Sequence, residues 1–477
     1  MNELKSKGIN AFLWDVMGKV STQGITFLTT IFLARLLTPD DFGLIAMVMV
    51  VTSIAQVFID IGLGTALIQK KRVLPIHFSS VFLFNLFIAA TITLSVFLMA
   101  GQLADFYSVK KLEGIFEVTS FLFIINAIGS VPTTILRKDL KYSVISKVLL
   151  LSSIIGGAVG IFLAYQGVGV WSLIYQILIQ AIIYNITILL SSGWTPHFAF
   201  SLKALKKLWV FGFRIFLSGL IDAIFTRLDY LIIGKILPIA TLGYFQRAKQ
   251  FNTLLITYTS GSLISVLFPA LSKIQNSTEK VREVVLSIFH ILCFIVFMLL
   301  GLLYIESQEI IVFLFTEKWL PSVELLKLLL LSSFAYPLSA LLVNVLSSRG
   351  NSKAFLKLEI LKKVLVSLSF FGLFIWGIEG YLYLLFIASF FSVLLNMWFV
   401  SIEIKLSFYS QFYPFMQQLL ISISCVVITE FLSFSFVIAG FLYIGLFLLI
   451  NLLLNSVVIQ SVKKEVLNLK AMKNTNG

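Results

Sequence analysis

Apolar runs of about twenty residues follow one another along nearly the whole chain, separated by short polar gaps. A helix needs roughly 20 apolar residues to cross a bilayer. The pattern predicts spans near 12–36, 43–68, 78–103, 114–135, 146–164, 168–190, 208–236, 243–269, 285–304, 322–346, 357–376, 380–400, 414–432 and 435–460. That makes an all-α polytopic membrane protein of about fourteen transmembrane helices, with gaps too short for an attached soluble domain. The longest outer gap, Ile305 to Pro321, holds the apolar stretch Ile310–Phe315, too short to span and suited to the interface.

Polar positions inside these runs fall at helical spacing. In the first span, Asp15, Lys19, Thr22, Thr26 and Thr29 step by 4, 3, 4 and 3 and share one face. In the seventh, Ser218, Asp222, Thr226 and Asp229 step by 4, 4 and 3 and likewise share one face. The second span carries Ser53, Gln56 and Asp60, and the eighth Gln246, Lys249, Thr253, Thr257 and Ser260. Four such stripes turned inward would line a wet cavity between two lobes. With Arg214, Arg227 and Arg247, and leaving aside Arg35 and Lys235 at the span ends, these spans hold nine charged residues, five basic and four acidic. Ionisable groups in hydrocarbon are costly, so they face water or a partner. A shared cavity implies a protein that moves or binds something polar across a bilayer.

Each position also has a structural reading. A Ser or Thr can bond its own backbone or join helices. Asp15 and Lys19, acid first at i,i+4, can be a neutralising pair. Arg35, Lys235 and Arg214 lie near helix ends, where basic chains snorkel. Arg227 stands about 140° around the helix from Asp222 and leaves that stripe. Arg247 is off the stripe of its span, whereas Lys249 lies on it. His290, Glu430, Asn85, Asn185, Asn344 and Asn396 fit structural roles, the asparagines as helix–helix contacts.

Orientation follows from Lys and Arg. One set of gaps holds Lys70–Arg72, Arg137 to Lys147, Lys203 to Lys207, Lys273 to Arg282 and Arg349 to Lys357, with both termini basic as well. The alternate gaps are poor in base. Both termini are then expected in the cytoplasm, which requires an even number of spans. The start is short and polar and leads into a long apolar run without a cleavage site, so no removable signal peptide is read there.

The chain repeats at an offset of 200: Ala34-Arg35-Leu36-Leu37 faces Gly234-Lys235-Ile236-Leu237, Gly43 faces Gly243, and Thr22, Thr26 and Thr29 face Asp222, Thr226 and Asp229. A weaker match sets Arg137–Lys141 beside Arg349–Lys353. The expected organisation is an N-lobe, 1–200 (spans 1–6), a C-lobe, 201–405 (spans 7–12), and 406–477 with two extra spans and a cytoplasmic tail. Six spans per half make the repeat parallel, with its pseudo-two-fold axis along the membrane normal.

Composition closes off other classes. Apolar residues are 59% of the chain and charged residues 12%, against about 25% charged in a soluble domain. The net charge of +14 sits in the gaps as a topology signal, not as a nucleic-acid patch. Cys293 and Cys425 suggest no disulfide framework, and His77, His197 and His290 are too scattered for a metal site. There is no Walker loop. Gly156, Gly157 and Gly160 sit in an apolar span, where they favour close helix packing. No catalytic residue and no cofactor is expected.

The run Leu228–Leu237, then Leu242–Phe245 and Arg247-Ala248, resembles the start of the second lobe of polysaccharide flippases. So does Ala34–Gly43, followed by Asp60-Ile61-Gly62-Leu63-Gly64. Together they are similar to the Wzx-type lipopolysaccharide, capsule and teichuronic acid exporters of the multidrug/oligosaccharidyl-lipid/polysaccharide (MOP) superfamily. Pro238 departs from the glycine frequent there. The resemblance implies a two-lobed flippase in the bacterial cytoplasmic membrane. It would carry an undecaprenyl-diphosphate-linked oligosaccharide to the outer leaflet by alternating access. A diphosphate needs cations, for which Lys19 and Lys249 lead, followed by Arg247, Arg227 and Arg214. Sugar hydroxyls need partners such as Thr22, Thr26, Gln56, Thr226, Thr253 and Thr257. Asp15, Asp60, Asp222 and Asp229 would line the path, balance the bases or couple a proton or sodium ion. Membrane lipids, a polysaccharide polymerase and a chain-length regulator are the further expected partners. Two alternatives stand: a multidrug antiporter of the same superfamily, whose cationic substrates call for an acid-dominated cavity, and a non-transporting membrane scaffold or membrane-embedded transferase.

Overall fold

The computed structural model describes residues 2–274, 276–432 and 436–460, without the side chains of 2–5, 60, 254–270 and 436–437. The described elements are helical throughout. In chain order they are α1 (Asn2–Leu36), α2 (Pro39–Asp60), α3 (Leu63–Gln69), α4 (Pro75–Leu98), α5 (Ala100–Tyr107), α6 (Leu112–Lys138), α7 (Tyr142–Tyr165), α8 (Val170–Ser192) and α9 (Leu202–Ile236). Then come α10 (Ile239–Ile274), α11 (Thr278–Ile305), α12 (Ser307–Phe315), α13 (Pro321–Ser333), α14 (Ala335–Ser348), α15 (Ser352–Leu368), α16 (Phe370–Glu403), α17 (Phe408–Leu432) and α18 (Phe436–Leu453). Among the described residues, ten helical stretches are long and apolar enough to cross a membrane. The polar stripe of α1 leaves that helix less apolar than those ten.

Local chemistry sets the helix starts. Thr38 caps α2 with Pro39 in the first turn: the Asp41 amide donates to Thr38 Oγ1 at 3.3 Å and the Thr38 amide to Asp41 Oδ2 at 3.1 Å. Ser201 and Asn351 cap α9 and α15 in the same manner, through the amides of Ala204 and Ala354.

Four predicted spans are interrupted, the second at Ile61 and Gly62 between α2 and α3 and the eleventh at Ser369 between α15 and α16. The third breaks at Met99 between α4 and α5, and the tenth at Phe334 between α13 and α14. The turn expected at Ile378–Gly380 comes earlier, where the backbone of α16 leaves helical geometry at Trp376 and Gly377. Gly377 adopts φ 67°, open to glycine at little cost. The chain doubles back so closely that a Cβ on Gly372 would overlap the Gly380 carbonyl. The stretch in the Ile305–Pro321 gap is α12, with Ile311 and Phe315 buried and Phe313 75% exposed.

Two compact units are present, Met1–Gly243 and Tyr244–Gly477. This boundary falls after α9, because α9 packs on α2 and α3. Lobes cut at 200 and 405 concern the repeat rather than these packing units. In the first unit, Ile61 (φ 43°) and Gly62 (φ 69°) turn α2 into α3, and a Cβ on Gly62 would overlap the Gly212 carbonyl of α9. Ile61, Leu63, Leu67, Val81, Phe82, Val131, Leu205, Leu208 and Phe216 form a core there. The glycines of α7 let neighbours close in: Cβ atoms would stand 2.5 Å from Thr29 Oγ1 at Gly157 and 2.7 Å from Gln180 Cβ at Gly156. The second unit has an aromatic core around Phe289, Phe297, Phe334 and Phe415. Its last two helices dock on α11, with Tyr443 Oη donating to the Phe297 carbonyl at 3.0 Å.

Candidate functional site

The stripes predicted from spacing occupy α1, α2, α9 and the start of α10. On α1, Lys19 Nζ donates to Asp15 Oδ2 at 2.6 Å, with the lysine side chain 71% and the aspartate 31% exposed. The pair is intrahelical, and its cation remains accessible. Farther along, the stripe turns into the protein. Thr22 Oγ1 is buried, Thr26 is half-buried, and Thr29 packs on Gly157 of α7. One end of the α1 stripe is thus open and the other seals a helix contact.

On α2, Gln56 belongs to a chain of amides. Asn126 of α6 donates Nδ2 to Gln56 Oε1 at 2.9 Å, and Asn185 of α8 donates Nδ2 to Asn126 Oδ1 at 3.0 Å. Asn185 also donates to the Ala181 carbonyl of its own helix at 2.8 Å, which fixes the amide's direction. Gly129 leaves room for it, since a Cβ there would overlap Asn185 Oδ1. The chain holds Gln56 in one orientation. Asp60 and Thr257 lie outside the described residues so far as their side chains go.

On α9, Arg214, Asp222 and Thr226 are exposed, Arg227 is half-buried with its guanidinium 5.7 Å from the Tyr230 ring centre, and Asp229 is 6% exposed. Asp229 Oδ1 accepts from the Tyr230 amide at 2.9 Å. Lys235 donates to the Phe106 carbonyl and lies over that ring, a tie to α5 at the helix end.

Arg247 and Lys249, both past Gly243, belong to the second unit. Arg247 is 4% exposed, with its guanidinium 5.9 Å from the Phe315 and 5.6 Å from the Trp319 ring centres and Nη1 donating to Gln250 Oε1 at 2.8 Å. Cation–π contacts of this kind contribute about 0.5–2 kcal/mol each. Here Arg247 anchors the α12 end to α10. Lys249 is half-buried, 5.6 Å from the Phe245 ring centre. Thr253 Oγ1 donates to the Lys249 carbonyl at 2.7 Å, the backbone-bonding alternative for that threonine.

Other singled-out residues join helices. Asn85 donates to Ser130 Oγ at 3.2 Å, and Asn396 to Ser339 Oγ at 2.7 Å. Asn344 instead donates to the Ala340 carbonyl of its own helix, unlike the helix–helix contact expected of it. Glu430 pairs with Lys327 at 3.5 Å. The matched basic gaps hold ties: Lys138 donates to the Leu67, Ile68 and Lys70 carbonyls, and Arg349 bonds Glu403 at 3.1 Å.

Spacing alone did not single out Asn126, in the apolar run Leu122–Gly129, or Glu359 and Lys362 of α15. That pair meets at 2.5 Å, with side chains 31% and 15% exposed. The charge-within-a-span signal that found Asp15 is present there too.

Comparison with known proteins places the chain. The profile of a family described as "Polysaccharide biosynthesis protein" matches residues 32–324. The succinoglycan biosynthesis transport protein of Rhizobium meliloti (strain 1021) is 26% identical over 327 residues, 67% of this chain and 65% of that protein. The teichuronic acid biosynthesis protein TuaB of Bacillus subtilis (strain 168) is 26% identical over 389 residues, 80% of each chain. In fold, the chain is similar to a lipid II flippase, MurJ, in an inward closed conformation: TM-score 0.73, 17% identity, 91% of this chain and 97% of that one.

Proposed function

The chain belongs to the polysaccharide biosynthesis protein family, in its Wzx-type branch with the MOP fold, and from that premise we propose that it flips a lipid-diphosphate-linked oligosaccharide from the inner to the outer leaflet. It is a multi-pass transport protein of bacterial polysaccharide export, not an enzyme. The family match over 32–324 carries the reading.

The residue chemistry supports the finer points. A diphosphate headgroup carries negative charge that lysine can offset in a wet path. Lys19 is accessible, and Lys249 stands past the start of its helix. Lys19 and Lys249 are the leading headgroup contacts, with Arg227 and Arg214 behind them and Arg247 last, since its guanidinium is buried against Phe315 and Trp319. Thr22, Thr26, Gln56, Thr226, Thr253 and Thr257 meet sugar hydroxyls, and the amide chain to Asn126 and Asn185 keeps Gln56 aimed. Asp15, Asp60, Asp222 and Asp229 balance these bases. The polyprenyl tail stays in lipid.

About fourteen spans, two repeated six-helix lobes (1–200 and 201–405) and a C-terminal pair complete the proposed architecture. A reciprocal contact in the first unit supports the repeat. A Cβ on Gly43 would overlap the Ile239 carbonyl, and one on Gly243 the Pro39 carbonyl. Residues 200 apart exchange the same backbone contact, as a two-fold relation requires. With both termini in the cytoplasm, these turns lie on the outer side, where alternating access must close and open them.

The test is complementation of a strain lacking its own flippase. Lys19→Ala and Lys249→Ala, expressed at wild-type level, should lose surface glycan; full glycan from both would overturn the headgroup assignment.

A further inference from the structure

α18 closes over a buried carboxyl. Glu306 sits at the junction of α11 and α12, where its amide donates to the Leu302 carbonyl at 3.0 Å. Its side chain is turned inward, 7% exposed, and neither carboxyl oxygen has a hydrogen-bond partner. α18 presses on it. A Cβ built on Gly440 would stand 2.7 Å from Glu306 Oε1 and 3.2 Å from Leu302 Cδ1, so glycine's hydrogen is what fits.

The charges around this carboxyl do not stabilise an anion. Glu309 of α12 adds a second negative charge. Tyr304 of α11 has its ring 4.9 Å from Lys327 Nζ of α13, and Lys327 pairs with Glu430 of α17. That cation is therefore already engaged. Between Phe436 and Leu453, α18 carries one ionisable residue, Tyr443, whose hydroxyl goes to the Phe297 carbonyl. A buried carboxylate without a counter-charge and without a close donor takes up a proton instead. Burial first, and the Glu309 charge second, raise the Glu306 pKa above the ordinary carboxyl value, and the Gly440 backbone offsets this in part.

We propose that Glu306 is a proton-binding site whose occupancy sets the docking of α18, and that it exchanges its proton with outside water during the transport cycle. The protonated carboxyl fits closed against Gly440. When its O–H bond breaks, the proton passes to water and the carboxylate must be hydrated, so α18 and the α11–α12 junction part. The exchange with transport rests on the flippase reading, but the proton site does not. A raised pKa stabilises the docked state fully below the ordinary value of 4.5, and that stabilisation is lost as pH rises through the raised value.

The experiment uses the full chain in liposomes. Infrared difference spectra across a pH titration should show a protonated-carboxyl band with a midpoint above the ordinary carboxyl range. Glu306→Gln should abolish the band, and Glu309→Gln should move the midpoint down. Spin labels at the exposed Phe313 and Ile438 should separate as pH rises in wild type and stay close at every pH in Glu306→Gln. A band that survives Glu306→Gln, or a separation indifferent to pH in wild type, overturns the site. If Glu306→Gln does not fold, a midpoint unmoved by Glu309→Gln does so. Proton flux on adding lipid-linked oligosaccharide reads the coupling. Substrate translocation with wild-type flux in Glu306→Gln removes the coupling and leaves the flippase. No translocation by wild type removes the flippase and leaves the proton site to the spectra.

Discussion

Gly43→Ala and Gly243→Ala probe the reciprocal contact between the α1–α2 and α9–α10 turns. At Gly43 the new methyl would overlap the Ile239 carbonyl and stand 2.7 Å from Ile239 Cγ2, where ordinary contact begins at 3.4 Å. The turns must therefore separate by about 0.7 Å or more. Overpacking costs about 1–3 kcal/mol, and a backbone carbonyl cannot rotate aside, so the upper half of that range applies. The alanine returns about 1 kcal/mol of helix propensity, leaving about 1–2 kcal/mol against the closed contact. That is roughly a 5- to 30-fold shift toward the open state. The assay is labelling of a cysteine at Thr26 by an impermeant maleimide from outside; the native Cys293 and Cys425 are buried and give little background. Labelling should speed up by about that factor in either variant. Both methyls open the same gap, so the double variant should fall well short of the summed effect. Gly24→Ala is the control, since its Cβ meets nothing within 4 Å. Unchanged labelling in folded Gly43→Ala, or full additivity, would refute the reasoning.

Three further outcomes are expected. Asn126→Ala breaks the amide chain between α2, α6 and α8 and should cost about 1–2 kcal/mol in reversible unfolding from mixed micelles, at about 0.6 kcal/mol or somewhat more per interhelical bond; no loss would mean the chain is not formed. The Arg349–Glu403 pair, 21% and 16% exposed, should show a coupling of about 1 kcal/mol or more in a double-mutant cycle, whereas a surface pair would give close to none. A cysteine at Lys71 should label only from the cytoplasmic side, and labelling from outside would reverse the topology.

Much of the fold was legible because a bilayer imposes a length and a polarity on every span. The stripes were legible because helical spacing converts positions into faces. What spacing could not supply was the partner across each face. Thr29 shares its stripe with Lys19, yet it meets Gly157, over a hundred positions later. Arg247 reads in the sequence only as a base off the stripe of its span, and the fold brings Phe315 and Trp319 over its guanidinium. Asn126 gave no periodic signal, because one amide in an apolar run acquires meaning only opposite Gln56 and Asn185. The break at Trp376 and Gly377 precedes the turn that hydropathy predicts, since hydropathy marks the polar Glu379 while the turn depends on a backbone angle.

The most direct measurement of the central claim is translocation of a fluorescent lipid-diphosphate-linked oligosaccharide by the purified chain in liposomes, read by quenching from outside. Wild type should move it between leaflets far faster than protein-free vesicles, and Lys19→Ala with Lys249→Ala should fall toward the protein-free rate. A wild-type rate equal to that of empty vesicles, in protein that is folded and correctly inserted, would contradict the account.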